Sequence, residues 1–284
     1  MTETPAADDT ARGVAPFSRV VCGIDGSPEA LEAARQARRL APGVPTVLVS
    51  AVDTLQEPAR PFEIPALAHL MRKGAAEALG AAVGHLESPA VVGASDLTTA
   101  IEEGHVADVI RFVVGDDPTA LVAVGAHVEQ RPPGEGPPSS ASYRERTAIE
   151  VVRRAPCSVL VGRRPSSEQP FPRAIAVGVD GSEASATASA VAVRIATETG
   201  APLSYVVAVG GKGADLAAIA RTVPGAPLGA VDRRHPVDAL LAAAEQADLV
   251  VVGHRGLHGL RALGSVSERV LTRCDRSVLV VRRR

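Results

Sequence analysis

Apolar residues in the second half of the chain fall into short blocks, "AIAVGV", "SYVVAV", "LVVVG" and "SVLVV". Between them lie stretches in which Ala, Leu and Val recur every three or four positions among polar residues. Blocks of five or six read as buried strands, and the recurring pattern reads as amphipathic helix. This predicts strand 174–179, helix 183–198, strand 203–209, helix 213–222, strand 226–231, helix 236–246, strand 248–253, helix 264–274 and strand 277–282. The first half carries the same order, with strands near 19–24, 46–52, 89–93, 120–125 and 158–162 and a longer second helix at about 65–86. Strands alternating with helices make an α/β chain with a parallel sheet covered on both faces.

The halves are copies. "RVVCGIDGSPEALEAARQARRLA", from Arg19, matches "RAIAVGVDGSEASATASAVAVRIA", from Arg173, and the closing segments "VVRRAPCSVLVGRR" and "VLTRCDRSVLVVRRR" match as well. The expected organisation is a disordered tail over 1–17, a first domain over 18–164, a Pro/Ser-rich linker over 165–172 and a second domain over 173–284.

Composition narrows the picture. Hydrophobic residues make up 46% of the 284 residues but aromatics only 2%, with no Trp, so the cores are built from Val, Ala, Leu and Ile. A formal net charge of -2 gives no basic field and counts against a nucleic-acid coat. Cys22, Cys157 and Cys274 lie far apart with no CxxC, which points to free thiols in a reducing cytoplasm rather than disulfides or zinc. The N-terminus has neither the basic nor the apolar region of a signal peptide, and no apolar run is long enough to cross a bilayer.

In a doubly wound sheet the ligand crevice lies at the carboxyl ends of the strands, where strand order reverses. Asp25 and Asp180 end the first strands, and Gly125 and Gly253 end the fourth. With those strands adjacent, the Asp reaches a sugar, a base or a magnesium ion. A second reading of Asp-Gly-Ser is a turn in which Ser182 caps a helix with Glu183 in its first turn; the two are compatible. The stretch "DLVVVGHRGLHGLRALGSVSERV" offers Gly253, Gly256 and Gly259 for close backbone approach. Gly264 and Ser265 open a helix whose amides favour an anion, Ser265 and Ser267 add hydroxyls, and His254 and Arg255 add positive charge.

The combination "VGVDGSEAS", "DLVVVGHRG" and "LGSVSERVLTRCDRSVLVVR" resembles the universal stress protein family, and the chain from about 18 to 284 resembles its tandem form. The resemblance implies two Rossmann-like domains, each a five-stranded parallel sheet in the order 3-2-1-4-5. In one branch of the family it implies ATP binding through G-x2-G-x9-G-[ST]. Carried over, Asp180 with Gly181 becomes the nucleotide-contacting pair and Val207 the adenine-side residue. Gly253, His254, Arg255, Gly256, Gly264, Ser265, Val266 and Ser267 become the phosphate loop and helix start. The spacing departs from the pattern, since seven residues, 257–263, stand where it has nine. The first half keeps Asp25, Gly26, Ala51 and Gly125 but has Val128 for the second glycine. Glu145 and Arg146 stand in place of Gly264 and Ser265, after a Pro/Gly/Ser segment at 130–142. That half is expected to have lost triphosphate binding, to keep at most a small nucleotide site, and to serve as a scaffold or protein-contact module.

His105 and His127 have no carboxylate or cysteine at ligand spacing, the terminal "RRR" reads as a solubilising end, and no nucleophile elbow or general base stands out. The expectation is a cytoplasmic, non-catalytic regulator that senses ATP, with magnesium near Asp180, through its second domain. The final strand of each domain is left to pair within the chain or in a homodimer. A nucleotide-free interaction module is the alternative, and a weak ATP hydrolase ranks last.

Overall fold

The computed structural model describes residues 16–53, 64–87, 96–126, 143–163, 170–209, 215–223, 231–254 and 265–283. The first half runs β1 (Val20–Gly23), α1 (Pro28–Leu40), β2 (Thr46–Val52), α2 (Ile64–Leu86), β3 (Leu97–Glu103), α3 (Val106–Val114), β4 (Leu121–Gly125), α4 (Tyr143–Arg154) and β5 (Ser158–Gly162). The second runs β6 (Ile175–Val179), α5 (Glu183–Thr199), β7 (Leu203–Ala208), α6 (Leu216–Thr222), β8 (Val231–Asp232), α7 (Pro236–Ala243), β9 (Leu249–Gly253), α8 (Ser265–Arg273) and β10 (Ser277–Val281).

The strands form one ten-stranded sheet, β3-β2-β1-β4-β5-β10-β9-β6-β7-β8, so each half has the order 3-2-1-4-5. Pairing is parallel except at the centre. There β5 and β10 run antiparallel, Val161 opposite Val278 and Leu160 opposite Leu279. Both strands are buried along their whole length. Each Val or Leu sealed between the helical layers contributes roughly 1.5–3 kcal/mol. The apolar layers on the two faces each run through both halves: Leu48, Leu160, Leu279 and Ile195 belong to one, and Val122, Val159, Val280 and Val250 to the other.

Two arginines cross this joint reciprocally. The Arg163 amide donates to Ser277 Oγ at 3.0 Å while the Arg282 amide donates to Ser158 Oγ at 3.2 Å. The Arg163 guanidinium donates to the carbonyls of Leu271, near the end of α8, and Arg276. That of Arg282 donates to Val152 and Arg153 at the end of α4. Each half thus satisfies the orphan carbonyls at the last helix of the other.

The structure corrects the sequence reading at several boundaries. The third strand of the first half is Leu97–Glu103, bonded along β2, whereas the expected strand at 89–93 lies wholly outside the described residues. As an edge strand with one face half exposed, "LTTAIEE" carries Thr and Glu and shows no apolar block. Helix α6 starts at Leu216 because Asp215 caps it, its carboxylate accepting from the Ala218 amide at 3.0 Å. Strand β8 is confined to two described residues, Val231–Asp232. The expected tail and linker each contribute a core residue, since Phe17 and Phe171 are 3% and 4% exposed and pack in the same apolar layer. The repeat therefore begins earlier than Asp-Gly-Ser suggests, at the Pro-Phe pair that precedes each first strand.

Candidate functional site

Because β1 lies beside β4, and β6 beside β9, the Asp at the end of each first strand and the Gly at the end of each fourth share one end of the sheet. The Asp-Gly-Ser turn is built the same way twice. Asp180 Oδ1 accepts from the Ser182 amide at 2.9 Å, and Ser182 Oγ accepts from the Ser185 amide at 3.2 Å, capping α5. Asp25 likewise accepts from the Ser27 amide at 2.9 Å, and Ser27 caps α1 through the Ala30 amide at 3.2 Å. Gly26 and Gly181 sit at φ +80° and +85°, where a side chain is strained. One Asp oxygen therefore holds the turn in both halves.

Gly253 and Gly125 are glycine for a reason internal to the fold. A Cβ on Gly253 would stand 2.4 Å from the Ala184 carbonyl oxygen, and one on Gly125 2.4 Å from the Ala30 nitrogen. The first turns of α5 and α1 press directly on these strand ends, which leaves no space on that face for a side chain. The Ser267 hydroxyl, expected to be offered to a ligand, donates to the Gly253 carbonyl at 3.1 Å and pins α8 to β9. His254 is not a source of positive charge. It is 7% exposed, and burial, with Arg282 nearby, pushes its pKa down to about 4, so it is neutral at physiological pH. Its Nε2 is buried without a hydrogen-bond partner among the described residues.

Val207 does not face the crevice. It pairs with Val179 and is 1% exposed in the layer that contains Ile219. In the first half Gly23 pairs with Val49, so Ile24, the counterpart of Val179, falls opposite Ser50. The counterpart of Ala51 is therefore Ala208, one residue beyond Val207. Since side chains alternate across a strand, that one-residue difference is a change of face. Helix α8 begins at Ser265 and Val266 packs against the core, while Arg255, Gly256, Gly259 and Gly264 lie outside the described residues. Glu145 and Arg146 belong to the first turn of α4, which already starts at Tyr143, so they are not its opening residues. Val128, His127 and the 130–142 segment also lie outside the described residues.

The first half holds a cleft of about 440 Å³ at these strand ends, walled by Asp25, Ala51, Asp53, Met71, Gly125 and Thr147 among others. Its described lining carries two carboxylates and no cation. Asp53, Met71 and Thr147 were missed in the sequence; Asp53 was findable as the carboxylate that follows β2. His105, read as isolated, stands 3.4 Å from Glu150, which also pairs with Arg154. Among the described residues no group of three or more His, Cys, Asp or Glu could hold a metal, and no helix is long and apolar enough to cross a membrane. The cysteines are buried, and burial pushes the Cys22 and Cys157 thiols up to about 12.

A doubly wound sheet with its crevice at the reversal of strand order defines the class: an α/β protein of Rossmann-like architecture. The sequence model of the Universal stress protein family matches residues 16–163 and 228–282, and the chain belongs to that family. A search of curated proteins finds no significant match. Among solved structures, a universal stress protein from Archaeoglobus fulgidus DSM 4304 is similar over 94% of this chain and 99% of its own, at 17% identity and a TM-score of 0.70. The functionally unknown protein PA1789 from Pseudomonas aeruginosa PAO1 is similar over 94% and 92%, at 16% identity and a TM-score of 0.55. A universal stress protein in complex with cAMP covers 53% of this chain and 99% of its own, at 21% identity and a TM-score of 0.35.

Proposed function

We propose that this chain is a cytoplasmic stress-response regulator that holds an adenine nucleotide, ATP, at the strand ends of its second half and does not turn it over efficiently. The observation that carries the reading is the adjacency of β6 and β9, which sets Asp180 beside Gly253 at the end of the sheet where α8 begins. The described residues suit a base and ribose, with Asp180 toward the sugar and Ala208, in place of Val207, on the adenine side. Phosphate contacts fall to the backbone of 255–264 and the α8 amides, with magnesium near Asp180. The first-half cleft, lined by Asp25 and Asp53, suits at most a ligand without a phosphate chain. With β5 and β10 already paired to each other, association through the last strands is internal, and a homodimer would have to use another surface.

Titration calorimetry with ATP and magnesium tests this. Binding is expected for the intact chain, with loss in Asp180→Ala and in Gly264→Glu; the absence of heat at millimolar ATP removes the nucleotide claim. A nucleotide-free interaction module is the second reading. It is favoured by the commitment of Gly253 and Ser267 to internal packing and by the neutral His254. Cellular activity that survives Gly264→Glu would select it. Weak ATP hydrolysis ranks third and would need phosphate release that Asp180→Ala abolishes.

A further inference from the structure

The central joint creates two crevices, related by the repeat, where the last strand of one half passes the first helix of that half and the base of the other strands. They are not alike. In one, Gln36 of α1, 1% exposed, forms a plug: its Nε2 donates to the Arg163 carbonyl at 2.9 Å and its Oε1 accepts from Ser277 Oγ at 2.7 Å. Glu32 and Arg35 close over it, Glu32 accepting from both Gln36 and Arg35. In the other, the residues at the positions of Glu32, Arg35 and Gln36 are Thr187, Ala190 and Val191 of α5. These are too short or too apolar to plug it, and a crevice of about 480 Å³ remains.

The lining of the open crevice is one-sided in charge. Arg194 of α5 and Arg283, just past β10, reach it, Thr119, Ser158 and Thr187 add hydroxyls, and among the described residues no carboxylate lines it. Phe17, Val191 and Val281 supply an apolar wall. The acids nearby are already paired, two of them with the lining arginines themselves: Glu183 with Arg283 and Glu198 with Arg194, while Asp117 is held by Arg19, Ser18 and Thr119. The two α5 pairs are partly exposed and exchange readily for a better anion. Arg282 also borders the crevice, but its guanidinium donates to the α4 carbonyls on the other face of the sheet, so the anion would fall to Arg194 and Arg283.

We infer that this crevice between the halves binds a small organic anion, a phosphate or carboxylate head on the arginines with an apolar body against Phe17 and Val191. Guanidinium groups match such heads with paired hydrogen bonds. The site is separate from the strand ends that hold Asp180 and exists only because the two halves are joined with unequal first helices.

The test uses the full chain with phenyl phosphate as probe, followed by calorimetry or ligand-observed NMR, with benzoate and inorganic phosphate in parallel. Phenyl phosphate is expected to bind, inorganic phosphate more weakly, and benzoate measurably. Ala190→Glu, on an exposed helical position at the crevice, should weaken phenyl phosphate about tenfold or more, while Ala190→Lys should not. Val191→Gln, which imitates the plug of the other half, should do the same as Ala190→Glu. Asp180→Ala should leave this binding intact, which separates it from the nucleotide reading. No binding by the intact chain, equal binding in Ala190→Glu, inorganic phosphate binding as tightly as phenyl phosphate, or loss in Asp180→Ala would each overturn the inference.

Discussion

Gly253 shows how one residue carries two demands that sequence cannot separate. A glycine at a strand end before a glycine-containing loop reads as room for a ligand, but the face its side chain would occupy is taken by the α5 backbone. Gly253→Ala must push Ala184 away and is expected to cost about 1–3 kcal/mol in urea unfolding, whether or not nucleotide is present. Gly74, exposed in the middle of α2 with nothing near its Cβ position, has the opposite expectation: Gly74→Ala stabilises by roughly 0.5–1 kcal/mol. His254 gives a pH-dependent counterpart. The unfolded chain takes a proton on this imidazole below about its ordinary 6.5, and the folded chain only near 4. Stability therefore falls as pH drops through that window and is indifferent to this group above it. His254→Ala, which installs the residue type found at the equivalent Ala126, should remove that part of the pH dependence, measured as the shift in urea midpoint between pH 7 and pH 4.5.

At the scale of elements, strand and helix order was legible because buried parallel strands are uninterrupted apolar runs and the covering helices have one Ala-rich face. What escaped was whatever depended on register or on an edge. Val207 and Ala208 look alike in "SYVVAV", and only pairing with β6 tells which faces the crevice. β3 hides because an edge strand with one open face needs no apolar block. Phe17 and Phe171 were placed in tail and linker because a single Phe beside Pro carries no periodicity. The clamp between the last helices could not be read either, since it joins residues more than a hundred positions apart. Arg163→Ala strips a buried donor from the Leu271 carbonyl and should destabilise the chain by about 1–3 kcal/mol, with Arg163→Lys a poor substitute because it cannot span both carbonyls. Arg282→Ala, its counterpart at α4, should do likewise, and chemical denaturation measures both.

For the whole molecule, duplication was visible in the sequence but continuity was not. Two similar domains joined by a Pro/Ser-rich linker suggest two units that melt separately. The sheet instead passes through β5 and β10 without a break, and both apolar layers extend across it, so neither half has a core closed on its own. Calorimetry should show one transition with calorimetric and van't Hoff enthalpies in agreement; two resolved transitions would contradict this. The antiparallel joint has a further consequence. Because β10 runs against β5, every strand of one half points opposite to those of the other, and the cleft at Asp25 opens at one pole of the molecule while the Asp180 crevice opens at the other. No compact partner can cover both at once, so whatever each pole binds is presented to a different neighbour. A single continuous sheet is left as the physical link between two strand-end faces that point away from each other.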